Sequence, residues 1–231
     1  MSLKHTFKCL LSWIVVKVRS GPIKGFRWIA TSGGGFVTGR QEYYKTRAFI
    51  KNYRKGDILF DIGAHIGYFS AIAANINKGE GHIFAFEPRP MNASFFKRHM
   101  RLNKISNFTL YEAAAGSTDT EVMFDSAHGS ATGFVSEKGD IKVKQLHPDR
   151  MVAAGELPLP GFIKIDVEGA ECDVLKGLQK TISDARPKMI VATHNEECHN
   201  FVINFLKSNN YRIEILLPDG SKGDTEILAL P

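Results

Sequence analysis

Two hydrophobic rhythms alternate along most of this chain. The runs "ILFDI" (58–62), "HIFAFE" (82–87), "FTLYEAAA" (108–115), "GFIKIDV" (161–167) and "KMIVAT" (188–193) have the length and apolar content of buried strands. Between them, apolar residues recur at helical spacing. Ile66, Phe69, Ala73 and Ile76 share a face, "MNASFFKRHMRLN" (91–103) reads as a helix, and Ala170, Val174 and Leu178 form one stripe of "AECDVLKGLQKTI". Cys198, Phe201, Val202 and Phe205 group in "CHNFVINFLKSN". "YRIEILL" and "TEILAL" flank the turn "PDGSKGD", which predicts a closing antiparallel hairpin.

Strands that alternate with helices predict an α/β fold, a mostly parallel sheet with helices on both faces. Residues 116–147 break the rhythm. "EVMFD" and "IKVKQL" read as strands around the loop "SAHGSATGF", an insertion on the ligand side of the sheet. Residues 1–55 are mixed, and they divide as a helical and irregular extension ahead of a domain at 56–231. Within the extension, "QEYYKTRAFIKNY" predicts a helix with Tyr44, Ala48 and Phe49 on one face, ending at the turn "RKGD".

Composition changes this picture little. The 231 residues are 43% hydrophobic, enough for a core, and the charge of +6 is spread without a basic arm. Nucleic acid is therefore not the expected partner. Three distant cysteines (Cys9, Cys172, Cys198) and no CxxC pair point to a reducing, cytoplasmic compartment. The apolar run from Cys9 to Val18 is too short to span a bilayer. It reads as a helix packed on the domain. A second reading makes residues 3–19 a peripheral membrane contact, with Lys4, Lys8, Lys17 and Arg19 facing acidic headgroups.

Ligands of parallel sheets bind beyond the carboxyl ends of the strands, so the chemistry should follow each strand. After the first come Asp61, Gly63, Ala64, His65 and Gly67. The spacing is GxxxG, not the GxGxxG of dinucleotide loops, and the acid would repel a diphosphate. It suits a cationic group such as a methionyl amine, which favours S-adenosylmethionine over NAD. Glu87 ends the second strand, where an acid can accept ribose hydroxyls. In "KIDVEGAE", Lys164 and Asp166 share one face of a strand that should be apolar. They read either as a structural ion pair or, with Glu168, as a cleft at the ligand. His194 ends the fifth strand, where a general base is useful. His194, Cys198 and His199 match no common zinc spacing, and no metal is assigned to them.

Taken as a set, "DIGAHIGYFS", "FEP", "AAAGS" and above all "IKIDVEGAE" resemble the FkbM family of S-adenosylmethionine-dependent methyltransferases. "GRQEYY" is similar to the family's glycine-x-x-glutamate segment and brings in Glu42. The resemblance covers about residues 36–217. It implies a Rossmann-like class I methyltransferase fold, with seven strands and the last antiparallel. It implies methyl transfer to a hydroxyl of a sugar, glycan or natural product. Carried over by position, Asp61 to Gly67 form the methionine-side loop, Glu87 anchors the ribose, and Ala113 to Ala115, centred on Ala114, lie near the adenine. Asp166 and Glu168 match the acidic pair, and His194 a frequent strand-five histidine. The family often has asparagine where this chain has His65.

Asp166 or His194 could serve as the base, Asp166 could instead orient the methionyl ammonium, and the acidic pair could hold a divalent cation. Other classes stay open: a basic RNA-directed methyltransferase, a donor-binding but non-catalytic partner at a membrane, and a nicotinamide dehydrogenase. The first lacks an (Asn/Asp)-Pro-Pro-(Tyr/Phe) string or a Pro-Cys dipeptide, and the last is disfavoured by Asp61 and GxxxG.

Overall fold

A computed structural model of the chain describes residues 14–39, 42–125, 134–135, 139–216 and 224–231. Its strands are β1 (Val15–Lys17), β2 (Arg27–Ile29), β3 (Ile58–Ile62), β4 (His82–Phe86), β5 (Phe108–Tyr111), β6 (Ala114–Ala115), β7 (Thr120–Asp125), β8 (Phe134–Val135), β9 (Ile141–Leu146), β10 (Phe162–Ile165), β11 (Lys188–His194), β12 (Arg212–Ile215) and β13 (Asp224–Leu230). Its helices are α1 (Gly34–Thr38), α2 (Tyr43–Asn52), α3 (Tyr68–Asn77), α4 (Pro90–Leu102), α5 (Pro148–Ala153), α6 (Glu171–Gly177), α7 (Gln179–Ala185) and α8 (Glu196–Ser208).

The main sheet has the order β12-β13-β11-β10-β3-β4-β5. The five strands from β11 to β5 are mutually parallel, and β13 runs antiparallel between β11 and β12. The period of two sorts the strand residues between two cores. Leu59, Ile83, Ala85, Phe162 and Ile190 face the layer of α2, α3 and α4. Phe60, Ile62, Phe86, Ile163, Ile165 and Val191 face α6, α7 and α8. Strand order reverses between β3 and β10, so the switch-point crevice opens beyond their ends.

Several predicted elements differ in the structure. "FTLYEAAA" is two strands: β5 ends the main sheet, and β6 leaves it to pair with β9 in a second sheet of order β6-β9-β7-β8. That sheet is the predicted insertion, and most of its loop "SAHGSATGF" lies outside the described residues. The helix predicted over 170–182 breaks into α6 and α7 at Leu178, next to Gly177, where a Cβ would collide with the Gly116 carbonyl. The N-terminal apolar run ends as a strand, not a helix. β1 pairs with β2 in an antiparallel ribbon, while residues 1–13, most of the proposed membrane contact, lie outside the described residues. No helix among the described residues is long and apolar enough to cross a membrane. On α2, Ala48 and Phe49 are buried as predicted, but Tyr44 is exposed and Lys45 and Thr46 complete the buried face in its place.

A buried histidine fixes the ribbon to the domain. Trp28 of β2 stacks on His99 of α4 at 3.7 Å between ring centroids. The His99 Nδ1–H donates to the Ile66 carbonyl (2.8 Å), and Nε2 accepts from the Ile29 N–H (3.2 Å), which requires the neutral ring. Asn103, capping α4, donates to the Arg27 carbonyl and accepts from its N–H. Burial depresses the His99 ring from its ordinary 6.5 to about 4. The folded state thus binds fewer protons than the unfolded one below pH 6.5. We expect about 3 kcal/mol of stability, complete above that pH, to be lost as pH falls through 4. Denaturant unfolding of the wild type against His99→Gln across that window checks it, and equal acid slopes would refute it.

Candidate active site

The turn after β3 is shaped by two glycines with separate duties. Gly63 (φ 74°) passes so close to β10 that a Cβ would overlap the Asp166 carbonyl oxygen. Gly67 (φ 87°) starts α3, and a Cβ there would strike Phe96 and Met100 of the core. Between them His65 is left-handed (φ 52°), and its N–H donates to Glu87 Oε2 at 2.8 Å. Glu87 also accepts from the Arg89 N–H (2.9 Å) and from Asn92 (3.2 Å). Burial pushes its carboxyl up despite these donors. Three donors leave one of about four lone-pair positions for a ligand hydroxyl.

A cavity of about 370 Å³ opens over the carboxyl ends of β3, β4 and β10. Gly63, Ala64, His65, Glu87, Ala114, Lys164, Asp166 and Glu168 all line it, as does Glu42 from the N-terminal segment. Ser32, Gly33, Gly35 and Phe36 close one side, and Phe124 of the inserted sheet closes another. Glu42 (φ 50°) and Glu168 (φ 57°) join His65 as non-glycine residues in the left-handed region, so three strained positions meet at one cavity.

Two predicted ligand contacts do not reach it. Gly67 faces the core, and Asp61 is fully buried behind the wall. Asp61 accepts from the Ser70 hydroxyl at 2.6 Å and lies 3.5 Å from Lys164 Nζ. Asp61 and Lys164 are cross-strand partners, and the ion pair follows from that register. Lys164 in turn donates to the Gly63 carbonyl at 2.6 Å, so its charge braces the glycine turn. The carboxylate placed by sequence against a ligand amine is part of the frame.

Lys45, a residue the sequence reading passed over, holds the other side. Its ammonium is 2.7 Å from Asp166, 3.2 Å from Glu42 and 3.2 Å from Glu226 of β13. Burial raises the Asp166 carboxyl, but Lys45, Lys164 and His194 overwhelm that and hold it well below the usual carboxylate range. Lys45 is raised well above its ordinary value: burial opposes the charge, and its three carboxylates prevail. A cation on the buried face of a helix is the sequence signal that could have found it.

His194 stands behind the cavity wall. Its Nδ1 lies 2.8 Å from Glu171 Oε1, and its Nε2 lies 3.5 Å from Asp166 and 3.8 Å from Glu168. Burial would discharge the ring, but the Glu171 bond and three carboxylates raise it to about 9. Glu171, the last acid of "IDVEGAE", is fully buried and also accepts from the Val167 and Gly169 N–H groups. It thereby fixes the turn that carries Glu168. Burial pushes the Glu168 carboxyl up, and His194 only partly offsets this. Asp166, Glu168 and His194 have ligating atoms near enough for one metal ion. However, Lys45 already sits on Asp166, and the ring is a cation at neutral pH.

Among the described residues, four carboxylates line the cavity against one ammonium, Lys164, so the walls favour a cationic ligand. The methyltransferase FkbM domain model matches residues 61–213. The chain belongs to the FkbM methyltransferase family. S-adenosylmethionine, a sulfonium with an ammonium group, is the methyl donor that membership implies, and it fits the acidic lining. Hexuronic acid methyltransferase AglP of Haloferax volcanii is 30% identical over 147 residues, covering 62% of this chain and 59% of its own. The crystal structure of methyltransferase FkbM from Methylobacillus flagellatus superposes with TM-score 0.61 at 21% identity, over 85% of this chain and 52% of that one. Fibrillarin from Aeropyrum pernix, solved with natively bound S-adenosyl-L-methionine, gives 0.53 at 14% identity, over 80% and 74%. These likenesses establish the Rossmann-like class I methyltransferase fold. The chain spans less than two thirds of the length of the first two proteins.

Two outcomes follow from the charge network. Lys45→Met strands three carboxylates, and we expect a loss of about 3–5 kcal/mol in denaturant unfolding. His194 has a folded value above its unfolded 6.5, so its contribution is complete below that pH and lost as pH rises through about 9. His194→Gln should therefore flatten the alkaline limb of the stability–pH curve between those values; an unchanged limb would count against the imidazolium.

Proposed function

We propose that this protein is an S-adenosylmethionine-dependent O-methyltransferase whose acceptor is a hydroxyl of a sugar, sugar acid or related small molecule. The observation that carries the reading is the acidic cavity at the switch point, lined by Glu42, Glu87, Asp166 and Glu168. The hexuronic acid activity named for the archaeal relative supports the acceptor class. The same lining would repel the phosphates of RNA. A cytoplasmic setting, with residues 3–19 touching a membrane surface, belongs to this proposal as well.

When bound, S-adenosylmethionine supplies an electrophilic methyl group for in-line displacement by the acceptor oxygen. Glu87 would accept one ribose hydroxyl with its remaining lone-pair position, and the Gly63–His65 turn would hold the methionyl end. Ala114, which lines the cavity, would flank the adenine. Asp166, kept anionic by Lys45, orients a ligand ammonium or the acceptor hydroxyl. Glu168 is the group suited to receive the acceptor's proton: it faces the cavity, and burial raises its carboxyl. His194 is protonated at neutral pH and has no lone pair to offer, so it acts by positioning Glu168 and Asp166.

Isothermal calorimetry with S-adenosylhomocysteine should show binding that Glu87→Ala abolishes. With labelled donor and a panel of uronic acids and other sugars, Glu168→Gln should lower kcat about 10²- to 10⁴-fold while leaving product affinity nearly unchanged. No heat with the wild type would overturn the donor assignment, and full turnover in Glu168→Gln would overturn the base.

A further inference from the structure

Two thiols lie directly beneath the turn that carries Asp166 and Glu168. Cys172 on α6 and Cys198 on α8 place their sulfurs 3.4 Å apart. The Cys172 S–H points to Cys198 Sγ, and the Cys198 S–H donates to Glu171 Oε2 at 3.2 Å. The other oxygen of Glu171 holds His194 and the Val167 and Gly169 N–H groups. Cys172 is half-buried and open to a small oxidant, whereas Cys198 is 2% exposed. The methyl-transfer scheme above uses neither thiol.

We propose that Cys172 and Cys198 form a reversible oxidative modification site, a disulfide made by hydroperoxide that loosens the donor pocket through Glu171. Cys172 Sγ attacks one peroxide oxygen, the O–O bond breaks, and the leaving hydroxide becomes water with the Cys172 proton, giving a sulfenic acid. Cys198 passes its proton to Glu171 Oε2 and attacks that sulfur. The S–O bond breaks, and the second hydroxide leaves as water with the proton from Glu171. Two thiols are thereby oxidised by two electrons, and hydrogen peroxide is reduced to two waters.

Burial and the Glu171 charge push the Cys198 thiol well up, so it stays protonated until its neighbour is oxidised. That order makes Cys172 the sensing sulfur and Cys198 the resolving one. Closing the pair to a bond of about 2.05 Å draws Cys198 off Glu171. Glu171 Oε2 then loses its S–H donor in a site without water access. The carboxylate that fixes both His194 and the 167–169 backbone must shift, and Asp166, Val167 and Glu168 of the cavity wall shift with it.

The test uses the full chain carrying Cys9→Ser, which leaves one pairing within a monomer. The protein is treated with hydrogen peroxide, its peptides are mapped without reduction, and S-adenosylhomocysteine affinity is measured by calorimetry before oxidation, after it and after dithiothreitol. A Cys172–Cys198 cross-link is expected, with affinity weakened about tenfold by loss of one buried hydrogen bond and restored by the reductant. Cys172→Ser and Cys172→Ala should each remove both effects. Over-oxidation of Cys172 without a cross-link overturns the proposal, and so does a cross-link that leaves affinity unchanged. Failure of the reduced protein to bind S-adenosylhomocysteine would instead refute the donor assignment, and the cross-link would then decide whether the modification site exists.

Discussion

The ammonium of Lys45 joins three parts of the chain that are far apart in sequence. It comes from the helix that begins at Tyr43, and it meets Glu42 beside it, Asp166 at the end of the central strand and Glu226 on the reversed strand. Removing so many charged groups from water costs several kcal/mol each, and only close opposite charges offset it. The N-terminal segment therefore docks in one position over the sheet. That position brings Ser32 to Phe36 and Glu42 to the edge of the cavity. Lys45 is also the strongest of the three cations, with Lys164 and His194, that keep Asp166 ionised against its burial.

Lys164 repeats the device one layer deeper. Its cross-strand partner Asp61 neutralises it, and its bond to the Gly63 carbonyl sets the height of the glycine turn. The close approach of Gly63 to the Asp166 carbonyl then locks the ends of β3 and β10 together. Three non-glycine residues accept left-handed backbone angles around that junction: Glu42, His65 and Glu168. Each such conformation costs of order 1–3 kcal/mol and persists because the surrounding bonds over-determine it. For Glu168 those bonds are the two backbone N–H groups held by Glu171.

The sheet was legible because period-two runs and helical stripes are local signals, and for the same reason the strand ends named the glycine turn and the acids Glu87, Asp166 and Glu168 of the cavity. What stayed hidden depends on register. Asp61 is the fourth residue of a five-residue strand, so its side chain points into a sheet face and not beyond the strand end. Its partner Lys164 is 103 residues away, and only the pairing of β3 with β10 makes them neighbours. Glu226 is hidden in the same way, since it looks like a solvated charge until the fold covers it, whereas Lys45 could be suspected only from its place on the apolar face of its helix. Tyr44 misled because it resembles a core residue, yet the face it would occupy belongs to Lys45. The N-terminal ribbon was missed because three-residue strands carry almost no periodic signal.

The acidity of the cavity sets a limit on how it can speed methyl transfer. Carboxylates favour a sulfonium over the neutral sulfide left by the reaction, and positive charge at the methyl group is already spreading in the transition state. Their attraction therefore strengthens ground-state binding at least as much as transition-state binding, and it lowers KM without raising kcat. On this reading the rate must come from elsewhere. For the proposed reaction, one source would be geometric: a braced turn and a closed wall could hold the acceptor oxygen in line with the methyl carbon. The other is a proton acceptor whose affinity for protons is higher than that of its neighbours. Lys45 holds the Asp166 carboxyl down while burial keeps that of Glu168 raised, so the same buried cation that seats the N-terminal segment helps set the two acids apart in proton affinity.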